Sequence, residues 1–195
     1  MPRTARGLVD NEVYHVLNRG NARQVVFAGN ADYAEFIKLL RLAKAQYPVS
    51  MLAYCVMPNH FHLIVRASQA DMLSQFMRWL STSHVRRHHQ RKGTCGHVWQ
   101  GRYKSFRIKA DGHLLMVMRY VERNPVRAGL VEHAVDWPWS SHQEALGVQR
   151  SALLDRPPID RPEPWGDYVD SPLNGGDLDR IRFLIQCQAR RGFPE

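Results

Sequence analysis

Met57-Pro58-Asn59-His60-Phe61-His62-Leu63-Ile64-Val65 decides the fold. Proline cannot donate to a strand ladder and asparagine accepts turn conformations, so Met57-Pro58-Asn59 separates two apolar, β-branched runs. Residues 49–56 and 60–66 then read as the two strands of a hairpin. Strand side chains alternate between faces, which puts His60 and His62 on one side and Phe61 on the other. Two imidazoles side by side on a strand make half of a divalent-metal site. A chain with ten histidines will also show such a pair by chance, so the rest of the sequence must decide.

Outward from the hairpin, residues 12–18 alternate as a first strand and end at the turn Arg19-Gly20-Asn21. Asn30 caps a helix that runs to Tyr47, with Tyr33, Phe36, Ile37, Leu40 and Ala43 on one stripe and Pro48 as its stop. A second helix covers residues 71–90, its apolar side being Met72, Leu73, Phe76, Met77 and Leu80. Residues 97–109 hold a fourth strand interrupted by Gly101, and residues 111–123 a third helix. This order is the split βαβ pattern: an α+β, ferredoxin-like antiparallel sheet, expected to carry helices on one face and leave the other open to ligand. Residues 1–133 form one domain on this reading. Residues 134–195 are an extension, loop-like at Trp137-Pro138-Trp139-Ser140-Ser141 and over residues 156–165. It closes with an amphipathic helix over residues 177–190 that packs on the domain through Ile181, Leu184 and Ile185, or meets DNA through its arginines.

Composition narrows the function classes. Lysine and arginine outnumber aspartate and glutamate by 27 to 18, a net charge of +9, which favours a polyanion partner. Cys55, Cys95 and Cys187 are far apart, which argues for reduced thiols rather than a disulfide frame. His84 and His88 sit one helical turn apart with Cys95 and His97 after them, but the missing second cysteine speaks against zinc. No apolar leader or membrane-length run is visible, so a cytoplasmic protein is expected.

The second informative stretch is Arg119-Tyr120-Val121-Glu122-Arg123-Asn124-Pro125-Val126-Arg127. Tyr120 and Asn124 are one helical turn apart, offering a nucleophilic hydroxyl and a hard oxygen ligand. The bland alternatives are a core tyrosine and an asparagine that starts the next helix before Pro125. Taken together, Tyr54-Cys55-Val56-Met57-Pro58-Asn59-His60-Phe61-His62, the stretch Gly96-His97-Val98-Trp99-Gln100-Gly101-Arg102-Tyr103 and Tyr120-x-x-x-Asn124-Pro125 resemble the single-tyrosine HUH transposases, above all their REP-associated branch. The resemblance covers residues 8–145, with Asn18-Arg19-Gly20-Asn21 near its start.

That resemblance implies His60, His62 and Asn124 as ligands for Mg2+ or Mn2+, with Asn124 where many relatives carry glutamine. It implies Tyr120 as the nucleophile of a single-strand nicking and strand-transfer reaction on REP hairpins, through a 5′-phosphotyrosine. It also implies a monomer completing its site in cis, with a dimer as the alternative, at the bacterial nucleoid. Arg78, Arg86 and Arg87 on the second helix, Arg102, Lys104 and Arg107 near the fourth strand, and Arg19, Asn21 and Arg127 are the candidates for DNA contact. Trp99, Tyr103 and Phe106 suit either base stacking or the core. Two other classes compete: a non-catalytic nucleic-acid-binding module on the same fold, and a relaxase or replication-initiator nickase. The first has no evident need for both histidines and the tyrosine. The second usually brings further domains.

Overall fold

The computed structural model describes residues 8–108, 112–149, 152–172 and 175–176 of the 195-residue chain. Strands β1 (Val13–Arg19), β2 (Val49–Met57), β3 (His60–Ala67) and β4 (Lys104–Ile108) form one antiparallel sheet in the order β2-β3-β1-β4. Helix α1 (Asn30–Gln46) connects β1 to β2, and α2 (Ala70–Lys92) connects β3 to β4. This is the α+β, ferredoxin-like arrangement expected from the element order. Helix α3 (Gly112–Glu122) follows, then three short helices, α4 (Asn124–Arg127), α5 (His142–Ala145) and α6 (Trp165–Asp170).

One expectation fails. The sheet has no open face at its centre, because β2 and β3 are buried on both sides along most of their length. Tyr14, Val16, Phe61, Leu63 and Val65 pack under α1 and α2. On the opposite face, Val13, Cys55, Met57 and Ile64 are covered by Leu114, Val117, Met118 and Val121 of α3, and by Trp165 and Val169 of α6. A doubled residue between Met51 and Ala53 shifts the β2–β3 register and turns both Leu52 and Ala53 toward the α3 side.

The fourth strand is shorter than its sequence suggests. Residues 97–103 fold across the end of β1 instead, where Asn21 N donates to Val98 O (2.8 Å) and Gln100 N to Arg19 O (2.9 Å). This path carries Val98, Trp99 and Tyr103 into the core. Beyond α4 the chain lies along the outer edge of β2. Val56 N donates to Trp139 O (2.9 Å), Ser141 N to Tyr54 O (2.9 Å) and Asp155 N to Met51 O (2.7 Å). These bonds occupy backbone groups that an edge strand would otherwise leave unpaired. The helix expected over residues 177–190 lies outside the described residues.

Candidate active site

The Pro58-Asn59 turn delivers His60 and His62 to one end of the sheet, and the loop after β1 grips that turn. Gly20 N donates to Asn59 O (2.7 Å), while Val26 N and Phe27 N donate to Pro58 O (2.8 and 2.9 Å). A Cβ on Gly20 would lie 2.5 Å from Gln24 O and 2.8 Å from Val26 Cγ2, so the close approach requires glycine. Asn59 Nδ2 donates to Arg23 O (3.3 Å), which turns Asn59 Oδ1 toward His60 Nδ1 at 2.6 Å. An amide oxygen only accepts, so His60 Nδ1 carries the hydrogen and Nε2 keeps its lone pair.

His62 Nδ1 lies 2.8 Å from Nε2 of His15, with the two rings stacked 5.0 Å apart. That contact leaves His62 Nε2 as the ring nitrogen for an incoming group. Burial alone brings His15 down to about 3. Burial, followed by the charges of Arg19 and Arg127, brings His60 down to about 4. Burial also pushes His62 well below the usual histidine value, and His15, His60, Arg127 and Arg19 add to the shift. All three imidazoles are therefore neutral at pH 7, the state in which histidine binds a metal. Sequence reading missed His15. The pairing of Leu17 with His62 puts His15 one diagonal step away on the same face, a relation visible only once the strands are aligned.

Tyr120 sits in the last turn of α3, 7% exposed, with its ring centroid 6.0 Å from that of His62. Arg123 between the two helices keeps right-handed helical angles and its N donates to Arg119 O (2.9 Å), so Tyr120 and Asn124 keep their one-turn relation while Asn124 also starts α4. Asn124 is fully buried. Its Nδ2 donates to Tyr120 O (3.1 Å), and its Oδ1 accepts from Arg127 Nη2 (2.8 Å). The Arg127 guanidinium lies 5.5 Å from the Tyr120 ring centroid. Among the described residues no cluster of three or more His, Cys, Asp or Glu side chains could hold a metal. A cation on the histidine pair would thus need a ligand of another type, and the carboxamide oxygen of Asn124 has one lone pair left beside Arg127.

The basic candidates divide. Arg19, the register partner of His60, is exposed beside the histidines, and the exposed Asn21 and Arg102 lie on the two segments that meet at that end of β1. Lys104 pairs with Leu17 and so belongs to the histidine face. Arg107 belongs to the opposite face and is bonded to Glu12. Arg78, Arg86 and Arg87 ride on α2, across the sheet from Tyr120. Arg87 is paired with Glu35, while Arg91 and Lys92 both bridge to Asp32. Trp99, Tyr103 and Phe106 are buried, which settles them as core residues. His84 is packed among Phe27, Phe36 and Trp99 at ring separations of 5.4, 5.1 and 5.2 Å.

Residues 8–124 match a protein-family model described as "Transposase IS200 like". A Haemophilus influenzae protein described as "Putative REP-associated tyrosine transposase" is 28% identical over 156 residues, covering 74% of this chain and 82% of that protein. A solved structure of a REP-associated tyrosine transposase bound to a REP hairpin is similar at a TM-score of 0.62 and 20% identity, over 83% of this chain and 99% of that one. At that identity the likeness is one of fold. The histidine pair, the tyrosine and the carboxamide all fall inside the matched span, and the chain belongs to the IS200-like transposase family.

Proposed function

We propose that this protein nicks and rejoins single-stranded DNA at REP-type hairpins through a covalent 5′-phosphotyrosine on Tyr120. A single observation carries the reading: His62 on β3 and Tyr120 on α3, distant in sequence, meet ring to ring at 6.0 Å within one chain. That convergence also supports a monomer whose site is complete in cis. The Tyr120 hydroxyl attacks the scissile phosphorus. As the phosphorus–Oη bond forms, the bond to the 3′ oxygen breaks; the phenolic proton passes to water, and the departing 3′ oxygen takes a proton from water to leave as a free 3′-OH. The phosphodiester energy stays in the protein–DNA link, so a 3′-OH can reverse the step without a nucleotide triphosphate.

His60 and His62, both neutral with Nε2 available, would hold Mg2+ or Mn2+, and Asn124 would add the third ligand through the Oδ1 lone pair that Arg127 leaves free. A bound cation supplies charge stabilisation at the non-bridging phosphate oxygens. Arg19, Asn21, Arg102 and Lys104 surround the histidine end and favour a polyanion there. Such a reaction on chromosomal repeats would place the protein at the bacterial nucleoid. No helix among the described residues is long and apolar enough to cross a membrane.

The test uses 3′-labelled single strands bearing a palindromic hairpin, incubated with Mn2+ and resolved on a denaturing gel. A protease-sensitive adduct is expected with the wild type and absent with Tyr120→Phe and with His60→Ala/His62→Ala. Hairpin retention without an adduct, unchanged in these variants, would establish the binding module instead.

A further inference from the structure

Glu122 lies two residues beyond Tyr120 and is fully buried. Three donors converge on its carboxylate: Ser141 Oγ on Oε1 (2.6 Å), and His142 Nδ1 and Trp165 Nε1 on Oε2 (both 2.8 Å). All three belong to the segment beyond residue 134, outside the span that matches the family model. Ser141 Oγ also accepts from Tyr54 N (3.0 Å), one residue before Cys55, the register partner of His62. A continuous polar path therefore runs from the strand pair bearing the histidines, through Ser141, to the last turn of the tyrosine helix.

The same segment clamps α3 elsewhere. Arg119 donates to the carbonyls of Ser171 and Pro172, and Arg123 to those of Val169 and Asp170. The Arg119 guanidinium stands 4.6 Å over the Tyr168 ring, which stacks on Trp165.

Apolar contacts hold α3 at its distance from the sheet but tolerate small rotations, because they are non-directional. Hydrogen bonds to a buried carboxylate are directional, and leaving any donor unmatched is costly. The tyrosine oxygen lies far from the helix axis, so a rotation of about 10° would move it by ~1.5 Å, and a misplacement near 1 Å can cost ~100-fold in rate.

We propose that Glu122, held by Ser141, His142 and Trp165, is a positioning residue that sets the reach of Tyr120 toward the scissile phosphate, making residues 134–149 and 152–172 a working part of the site. This rests on Tyr120 being the nucleophile. Single-turnover cleavage of the 3′-labelled hairpin strand, with protein in excess and Mn2+ present, tests it. Glu122→Gln and Trp165→Phe are compared with Leu39→Ala, a core truncation in α1 remote from α3.

The two former variants are expected to bind the hairpin as the wild type does and to reach the full adduct end-point, with a rate constant lower by ~10–100-fold. Leu39→Ala should lower only the melting temperature or the active fraction. Trp165→Phe keeps its ring and stays informative if Glu122→Gln fails to fold. An unchanged rate constant in a folded Trp165→Phe overturns the proposal, as does a loss confined to the end-point. Absence of an adduct in the wild type refutes the nucleophile reading, and the positioning role with it.

Discussion

Replacing His84 with leucine should make the protein less sensitive to acid. His84 is 4% exposed, its Nδ1 has no hydrogen-bond partner, and Phe27, Phe36 and Trp99 surround it. Burial is the main cause that brings it from 6.5 down to about 3; the neighbouring His88 and His89 add to the shift and Asp32 opposes it. A histidine whose folded value lies below its unfolded value favours the neutral form in the fold. Its contribution is therefore complete above about 6.5 and is lost as pH falls from there toward 3. At pH 5 the unfolded chain has taken up the proton and the folded chain has not, a loss of about 2 kcal/mol relative to pH 7.5. Urea unfolding followed by tryptophan fluorescence at both pH values gives the two stabilities. The wild type should lose about 2 kcal/mol more than His84→Leu between them, because all other titrating groups are shared. Equal losses in the two proteins would refute the assignment of His84 as a neutral core residue.

Gly20→Ala forces a Cβ against Gln24 O and Val26 Cγ2 and should cost about 1–3 kcal/mol by calorimetry. It should also slow cleavage, since Gly20 holds Asn59, and an unaltered melting curve would contradict the close packing. His15→Leu removes the ring that His62 Nδ1 bonds and should weaken Mn2+ binding ~10–100-fold, read from the electron paramagnetic resonance signal of free Mn2+. Unchanged affinity would show that His62 needs no such support. Arg19→Ala and Lys104→Ala should each weaken hairpin binding and reduce the salt slope by about 1, whereas Arg107→Ala should change little. Equal effects from all three would mean that DNA reaches both faces of the sheet.

The hairpin, the element order and the helix stripes were legible because each rests on a local period: 2 for strands and 3.6 for helices. His60, His62, Tyr120 and Asn124 were legible as a motif; the structure sets the Tyr120 ring against that of His62 and bonds the Asn124 amide to Tyr120 O. Three things were not legible. The second face of the sheet is covered because α3 folds back over it, a long-range event that no period announces. The acidic groups neutralising the end of α2 lie on α1, so a run of arginines read alone overstates its free charge. His15 and Glu122 act through partners 47 and between 19 and 43 residues away. Their neighbours in sequence carry no sign of it.

The strip of chain lying against β2 has a consequence for how the protein is made. Asp155 and Ser141 reach Met51 and Tyr54 across 104 and 87 residues. During synthesis at ~5–20 residues per second, the outer row of amide and carbonyl groups on β2 therefore waits on the order of 5–20 s for its cover. Throughout that interval the nascent chain displays a ready strand template to its neighbours on the polysome. The tyrosine helix is likewise unanchored until Trp165 has left the ribosome. Maturation of the site and protection of the sheet are thus the same late event in the life of each molecule.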